Sequence, residues 1–471
     1  MPAQPPIPLL PPPAIPQRPP SIMEMVEEHV AAGTLGTILV KGNSGTGKST
    51  MALGLLRMKG RGTLISSRVT RGRVAVQEGE IVFEEVDPSR SVGRGDKAKR
   101  LTPAERAQRL LRLVAEAARE RPKGIIVIDS WETVATGLGD PERSESEQNL
   151  VAMAESSDST MVIVSERDST GSIDSLVDGI IELRRELHEE ATLRTLEFKK
   201  LASLAIPRPV VLFTLSDGRF RLFDRPLVLG PGQYDPRPYK PIRHPVGRYS
   251  SGISDLDAMS GDGVQRGTSV TLELGEGVSV DSTLPLHQTI IANFIANGGC
   301  TVGILTSGVP PEALLDPLER ILPKESVASS VRLGFYKAYS DPCAFAININ
   351  SVDLTFQRLW EQITKMKGSG QRPCYTFLSA EKLEHVHGAE VLRDIVVSLS
   401  RSKSNKDLFA LIVDQTTSSR KAISAMTDLH FRIESIAGAM TMQPIKPRGP
   451  LHAVQYDYSL GYPQVSLTPI V

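Results

Sequence analysis

The sequence predicts an α/β protein made of two tandem domains, each a mostly parallel, twisted sheet flanked by helices. Three observations carry that expectation. First, "GTILVKGNSGTGKSTMALGLL" runs from an apolar, β-branched stretch through a glycine-rich loop into helical spacing. Second, short and wholly apolar runs, "PKGIIVIDS" and "STMVIVSERD", alternate with long amphipathic stretches. That is the pattern of parallel strands covered on both faces by crossover helices. Third, the second half of the chain repeats the first: "CTVGILTSG" parallels "GTLISSRVT", "RPCYTFLSAEKLEHV" parallels "KGIIVIDSWETV", and "DLFALIVDQTTSS" parallels "STMVIVSERDSTG". Such self-similarity marks a duplication. A chain of 471 residues has room for two domains of ordinary size.

Composition removes several function classes. Lysine and arginine total 54, as do aspartate and glutamate, so no bulk field favours nucleic acid or membrane. Cys300, Cys343 and Cys374 show no CxxC spacing, which reads as buried thiols in a reducing compartment, hence the cytoplasm. No apolar run approaches the ~20 residues that a membrane span requires. Residues 1–20, "MPAQPPIPLLPPPAIPQRPP", lack the charged-then-apolar layout of a signal peptide. They read as an extended proline tail, either a spacer or a ligand for an aromatic groove. The first domain then spans 21–229, the linker "GPGQYDPRPYKPIRHPVG" covers 230–247, and the second domain spans 248–471.

The first domain opens at Ser21, a helix cap with Glu24 three residues on. Its chemistry starts at Gly42–Ser49, which spells GxxxxGKS between a strand and a helix. The candidate phosphate cradle comprises Gly42, Asn43, Ser44, Gly45, Thr46, Gly47, Lys48, Ser49 and Thr50. Glycines let backbone N–H groups curl around phosphates, and the helix N-terminus adds its positive dipole end. Lys48 is placed to reach the β- and γ-phosphates, and Ser49 to offer its hydroxyl to Mg²⁺. Asp129 ends the apolar run "PKGIIVID" and is the second candidate for the metal shell. The helix before it is opened by a Thr102 cap, Pro103 and Glu105. Ser165 and Glu166 follow the next apolar run, at the strand ends where ligands of parallel sheets lie. The pattern therefore calls for ATP with Mg²⁺, with Lys48, Asp129 and Glu166 as candidate catalytic residues and Ser49 and Asp129 as metal ligands.

Together with "LISSRVT" after the phosphate loop and "LRTLEFKKL" near the end of the first domain, these features resemble the RecA-like ATPases of the KaiC and RadA group. The likeness is closest to the archaeal gas-vesicle regulator type called GvpD. It implies two tandem RecA-like domains. It also sets a register for residues 248–284, "RYSSGISDLDAMSGDGVQRGTSVTLELGEGVSVDSTL". In that register Gly275 and Ser282 take the outer motif positions, Val280 replaces the last glycine, Asp281 replaces the lysine, and Ser379 stands where Asp129 does. A lysine's charge-assisted bonds are worth roughly 1.5–3 kcal/mol. A carboxylate in its place repels each phosphate charge by about 4 kcal/mol at 4 Å and an effective dielectric near 20. The second loop is expected to be a relic closed to ATP.

The resemblance also bears on hydrolysis. Arg68 and Val69 fall where the family carries paired glutamates, one of which activates water, and arginine cannot serve as that base. Glu84, Glu85 and Glu166 are the substitutes, so slow hydrolysis and near-passive binding both stand. Arg68 reads either as a γ-phosphate sensor or as a salt-bridge partner. In the family's trans-acting strand Lys200 is kept but Ala202 replaces the arginine, whereas "MQPIKPRGP" keeps both as Lys446 and Arg448. Either these two serve a live site in the same chain or a neighbouring copy, or they are surface basics.

Weaker features are the "HVH" of 385–387, read as two histidines at a helix start, and the basic run "RSVGRGDKAKR" at 90–100. Two functions compete: a nucleotide-dependent regulator read by a partner protein, and a recombinase-like enzyme acting on DNA. The loops after the first domain's strands, "GLGDPERSESEQ" and "SERDSTGS", are acidic or short, which disfavours phosphate backbones. The regulator is the better reading. The resemblance would make its partner a transcription activator that this protein restrains.

Overall fold

The computed structural model describes residues 22–32, 35–67, 80–85, 101–166, 171–202, 204–230, 232–336, 343–368 and 372–471. The proline tail, Ser21, Arg68, Val69 and the basic run at 90–100 lie outside them. The chain is an α/β protein that divides into two compact units, Pro20–Asp224 with Pro469–Val471, and Arg225–Thr468.

The first unit begins with α1 (Ile22–Ala32), β1 (Thr37–Lys41), α2 (Lys48–Lys59), β2 (Arg61–Ser66) and β3 (Glu80–Glu85). It continues with α3 (Pro103–Glu120), β4 (Ile125–Asp129), α4 (Trp131–Ala135), α5 (Asp140–Ser156), β5 (Thr160–Val164) and α6 (Ser172–Leu176). Four strands close it: β6 (Gly179–His188), β7 (Ala191–Leu201), β8 (Val210–Thr214) and β9 (Arg221–Phe223). They form one nine-stranded sheet in the order β3-β2-β4-β5-β1-β6-β7-β8-β9. It is parallel from β3 to β6 and antiparallel beyond. β1 is buried along its whole length because Ile38 and Val40 pack towards α1 and α2 while Leu39 packs towards α3 and α5. α3 starts as its sequence requires: Thr102 Oγ1 accepts from Glu105 N at 3.2 Å and Glu105 Oε2 accepts from Thr102 N at 2.7 Å.

The second unit opens with β10 (Arg248–Tyr249), α7 (Ser254–Met259), β11 (Val264–Gln265), β12 (Ser269–Leu274), α8 (Val280–Ala296) and β13 (Cys300–Ile304). Next come α9 (Glu312–Ile321), α10 (Lys324–Ser330), β14 (Val331–Phe335), β15 (Ala344–Ala346), α11 (Val352–Lys367) and β16 (Cys374–Ser379). Then follow α12 (Ala380–His387), α13 (Val391–Ser404), β17 (Leu408–Asp414), α14 (Arg420–Met426) and β18 (Leu429–Ile436). The last strands are β19 (Ala439–Lys446), β20 (His452–Asp457) and β21 (Gln464–Pro469). The main sheet runs β15-β14-β13-β16-β17-β12-β18-β19-β20-β21. Strand for strand that is the order of the first unit with β15 added at the edge.

The repetition extends to side chains. Asp178 accepts from Thr37 N at 2.9 Å and Thr37 Oγ1 at 3.1 Å; Asp428 accepts from Ser269 N at 2.9 Å and Ser269 Oγ at 2.8 Å. Both units break register at the same place, between Ile180 and Ile181 in one and between His430 and Phe431 in the other. A shared bulge at equivalent positions is a feature two unrelated sheets have no reason to share.

Candidate functional site

The loop from Gly42 to Gly47 leaves β1 at the carboxyl ends of the parallel strands. Its glycines are required by geometry. Gly42 has φ +139°, and a Cβ there would lie 2.3 Å from Leu183 O. Gly47 has φ +107°, and a Cβ there would meet Leu215 Cδ1 at 2.9 Å. Thr46 is buried and donates through Oγ1 to Asn43 O at 2.8 Å, which tightens the turn. Lys48 is buried and folds across the loop, its ammonium donating to Gly42 O at 2.6 Å and Asn43 O at 2.7 Å. α2 begins at Lys48 with Gly47 as its cap residue, and no side chain caps it. Its first turn of amides and its dipole therefore face the loop, the arrangement that suits an anion. Ser49 and Thr50 lie in that turn, half-buried.

Strand register brings the other candidates to the same edge. Val40, Val164, Asp129, Ser66 and Glu85 sit level across β1, β5, β4, β2 and β3. At about 4.8 Å per strand, Asp129 lies about 10 Å from Val40 along the sheet. It is buried, and its main-chain carbonyl accepts from Ser67 N at 2.8 Å. Glu166 follows β5, the strand beside β1, and is half-buried. Glu85 ends β3 at the far edge, four strand spacings or about 19 Å from Val40, and Glu84 precedes it, exposed. Of the three substitute bases, register brings Glu166 nearest to the loop.

Beside this edge lies a buried network that the motifs do not reveal. Glu147 of α5 accepts from Trp131 Nε1 and Arg143 Nε, each at 2.9 Å, and from Ser172 Oγ. Arg143 also donates to Glu132 Oε1 at 2.7 Å, and Ser165 Oγ donates to the same oxygen at 2.9 Å. Burial works against the charge on Arg143, but Glu132 and Glu147 outweigh it and raise its pKa. The network ties the segments after β4 and β5 together, so Asp129 and Glu166 hang from one rigid frame. A second unanticipated residue is Arg194 of β7, whose Nη1 donates to Gly45 O and Thr46 O, both at 3.1 Å, from beneath the loop. The signal for it lay in the duplication: register matches Arg194 to Met440 in the second unit, an arginine kept on one side only.

The second loop is built differently. The strand pairings align Thr37 with Ser269, so Val280 stands where Lys48 does and Asp281 where Ser49 does. The register expected from the motif, with Asp281 on the lysine, is corrected by one residue, because β12 runs one residue further than β1 before its loop. α8 begins at Val280 and is capped by Ser279, whose side chain accepts from Ser282 N at 3.2 Å. Ser282 Oγ turns back to Ser279 O at 2.6 Å. The helix start that an anion would occupy is thus served by its own serine. Ser379, level with Asp129 by register, likewise caps α12 by accepting from Lys382 N at 3.3 Å.

The basic residues of the antiparallel strands are engaged within their own units. Lys200 donates to Asp174 O at 3.4 Å and Ser175 O at 3.5 Å, and Lys446 to Ala425 O at 3.1 Å and Thr427 O at 2.5 Å. In each case the lysine reaches the last carbonyls around a short helix, α6 or α14, a local C-terminal anchor. Arg448 is exposed in the turn after β19. His385 and His387 fall in the last turn of α12 rather than at a helix start, because Ser379 starts that helix earlier. His387 Nε2 lies 3.3 Å from Thr355 Oγ1.

No protein-family model matches the chain. It is 26% identical over 471 residues to Protein GvpD2 of Halobacterium salinarum, covering 92% of this chain and 93% of that protein. It is 23% identical over 429 residues to Protein GvpD1 of the same organism, covering 77% of this chain and 78% of that protein. No helix among the described residues is long and apolar enough to cross a membrane. With a doubled α/β architecture and similarity extending along nearly its whole length, the chain is a relative of the GvpD-type proteins.

Proposed function

We propose that the chain is an ATP-binding regulatory protein that holds one Mg·ATP in its first unit and acts through contact with another protein. The observation that carries this reading is the contrast between two copies of one frame. The first keeps positive-φ glycines, Lys48 and an uncapped helix start, with Asp129 level with Val40 of the strand that leads into the loop. The second has Val280, a serine cap and Ser379 in their places. The residues present fit the nucleotide: Gly42 and Gly47 admit no side chain, and the donor set is amide and ammonium. Gly42–Thr50 would hold the phosphates, and Ser49 and Asp129 the Mg²⁺, which when bound neutralises phosphate charge.

Within that site Lys48 would exchange its two loop carbonyls for phosphate oxygens, a swap that keeps the ammonium satisfied throughout. Asp129 is buried at a strand end and braced through Ser67, so it suits a fixed metal shell. Glu166 is the residue best placed to orient a water, and hydrolysis would be slow because the family's glutamate positions carry Arg68 and Val69. Likeness to the GvpD proteins makes a DNA-binding transcription activator the partner we favour, with nucleotide occupancy deciding whether it is restrained. Pull-down of that activator from the host of this chain, with and without Mg·ATP and with Lys48→Ala, tests the reading. Capture that depends on nucleotide and on Lys48 supports it; capture indifferent to both contradicts it.

A further inference from the structure

We infer that Arg194, held in turn by residues 469–471, is a positioning residue that sets the phosphate loop in its binding conformation; this rests on the nucleotide reading above. The guanidinium is buried under the loop. It donates through Nη1 to Gly45 O and Thr46 O, and through Nε to Val471 O. Pro469–Val471 pack with this unit: Thr214 Oγ1 donates to Pro469 O at 2.6 Å and accepts from Val471 N at 3.3 Å. Leu215, the next residue, is the one that a Cβ on Gly47 would strike. Arginine, β8 end and residues 469–471 thus form one continuous floor below the loop.

The floor acts on the loop through the planarity of the peptide. In a trans peptide the N–H points opposite to the C=O before it. Holding the carbonyls of Gly45 and Thr46 downward on Arg194 therefore turns the N–H of Thr46 and Gly47 away from the floor. For Gly47 that is the side on which an anion meets α2. The positive φ at Gly45 and Gly47 is the backbone shape that this arrangement needs. Among the described residues the guanidinium meets no side-chain carboxylate, its bonds going to Gly45 O, Thr46 O and Val471 O. Burial, with Arg185 nearby, lowers the pKa of Arg194.

The duplicate supplies the control. Register matches Arg194 with Met440, and there the loop is held another way, with Glu276 O accepting from Ser435 N at 3.2 Å on the neighbouring strand. The copy with the serine-capped helix has Met440 on the strand position of Arg194; a different cation, Arg225 from the segment after β9, lines the space beside its loop. An arginine kept for sheet stability alone would have no reason to follow the state of the loop.

The test is calorimetric titration of the full chain with Mg·ATP and with adenosine, on wild type, Arg194→Met, Arg194→Lys and a chain lacking 469–471. Circular dichroism confirms that each is folded. Arg194→Met should weaken ATP by about tenfold or more while changing adenosine far less, because the loss is in phosphate contacts. Arg194→Lys should recover part of it. Removing 469–471 should weaken ATP in the wild type and add nothing in Arg194→Met, since both act through one contact. Folded Arg194→Met that binds ATP as the wild type does, or that loses adenosine equally, overturns the inference. Should that variant fail to fold, unchanged ATP affinity in both Arg194→Lys and the shortened chain overturns it. A wild type that binds no nucleotide overturns the nucleotide reading, and the inference with it.

Discussion

Lys48 and Arg194 both grip the same short loop by its main-chain carbonyls, Lys48 those of Gly42 and Asn43 and Arg194 those of Gly45 and Thr46. The loop's shape is therefore held by two cations in the chain itself. Glu166→Gln should reduce ATP hydrolysis at least severalfold, while Glu84→Gln leaves it unchanged, because β3 lies at the far edge of the sheet. A phosphate-release assay decides between them; the reverse ranking would place the base at the edge strand. Arg143 provides a stability test. Glu147 is 1% exposed, so Arg143→Ala strands a buried carboxylate and should cost about 3–5 kcal/mol in urea unfolding, much of it recovered by adding Glu147→Gln. A loss below ~1 kcal/mol, the range of a surface pair, would show that water already reaches the network. His287 of α8 gives the pH dependence. Burial pushes its pKa from 6.5 down to about 4, so the unfolded chain takes up a proton that the folded unit refuses. Its contribution is fully present above about pH 6.5 and is lost as pH falls towards 4. His287→Leu should flatten the acid side of the stability curve of the second unit across that window; an unchanged slope would show that the imidazole finds solvent.

The two phosphate-loop segments are one element in two states, and the difference lies in how a helix begins. α2 starts on a left-handed glycine with no side-chain cap, whereas α8 starts on Ser279, which caps itself. Ser279→Ala should destabilise the second unit by about 1 kcal/mol, and Val280→Lys alone should not restore nucleotide binding, because the cap still occupies the helix start. Binding by Val280→Lys would show that only the lysine was missing. Most of the elements were legible in the sequence. The apolar runs around Ile38 and Ile126, the cap at Thr102 and the glycine loop are local signals that tertiary packing had no cause to override. The register of the second loop was not. Without the lysine and the last glycine there is no fixed point in "GEGVSVDST", and only strand pairing shows that Val280 is the residue facing the lysine's place. Glu147 was hidden for a different reason: a single charged residue within a helix carries no mark of the indole it will meet, and the match of Arg194 to Met440 emerges only from strand pairing.

Viewed whole, the molecule is a duplication in which the frame has been kept while the loop after the first strand of each sheet differs. The equivalent strand positions Lys41 and Glu273 hold opposite charges: Lys41 pairs with Asp174 at 2.7 Å in the first unit, and Glu273 lies 2.9 Å from His430, 3.3 Å from Arg432 and 3.4 Å from Arg420 in the second. Lys41 is tied to the helix α6, whereas Glu273 is tied chiefly to the neighbouring strand β18, so the frame tolerates a reversed charge at this position by changing its partners. The proposed phosphate loop obeys a stricter rule, because an anion site needs its cation, its glycines and an open helix start together. The second unit has Val280 in the lysine's place and a helix start capped by Ser279. Calorimetric titration of the intact chain with Mg·ATP tests this division most directly. A stoichiometry of one, abolished by Lys48→Ala and unaffected by Asp281→Ala, is the predicted result. A stoichiometry of two, or binding that survives Lys48→Ala, would contradict it.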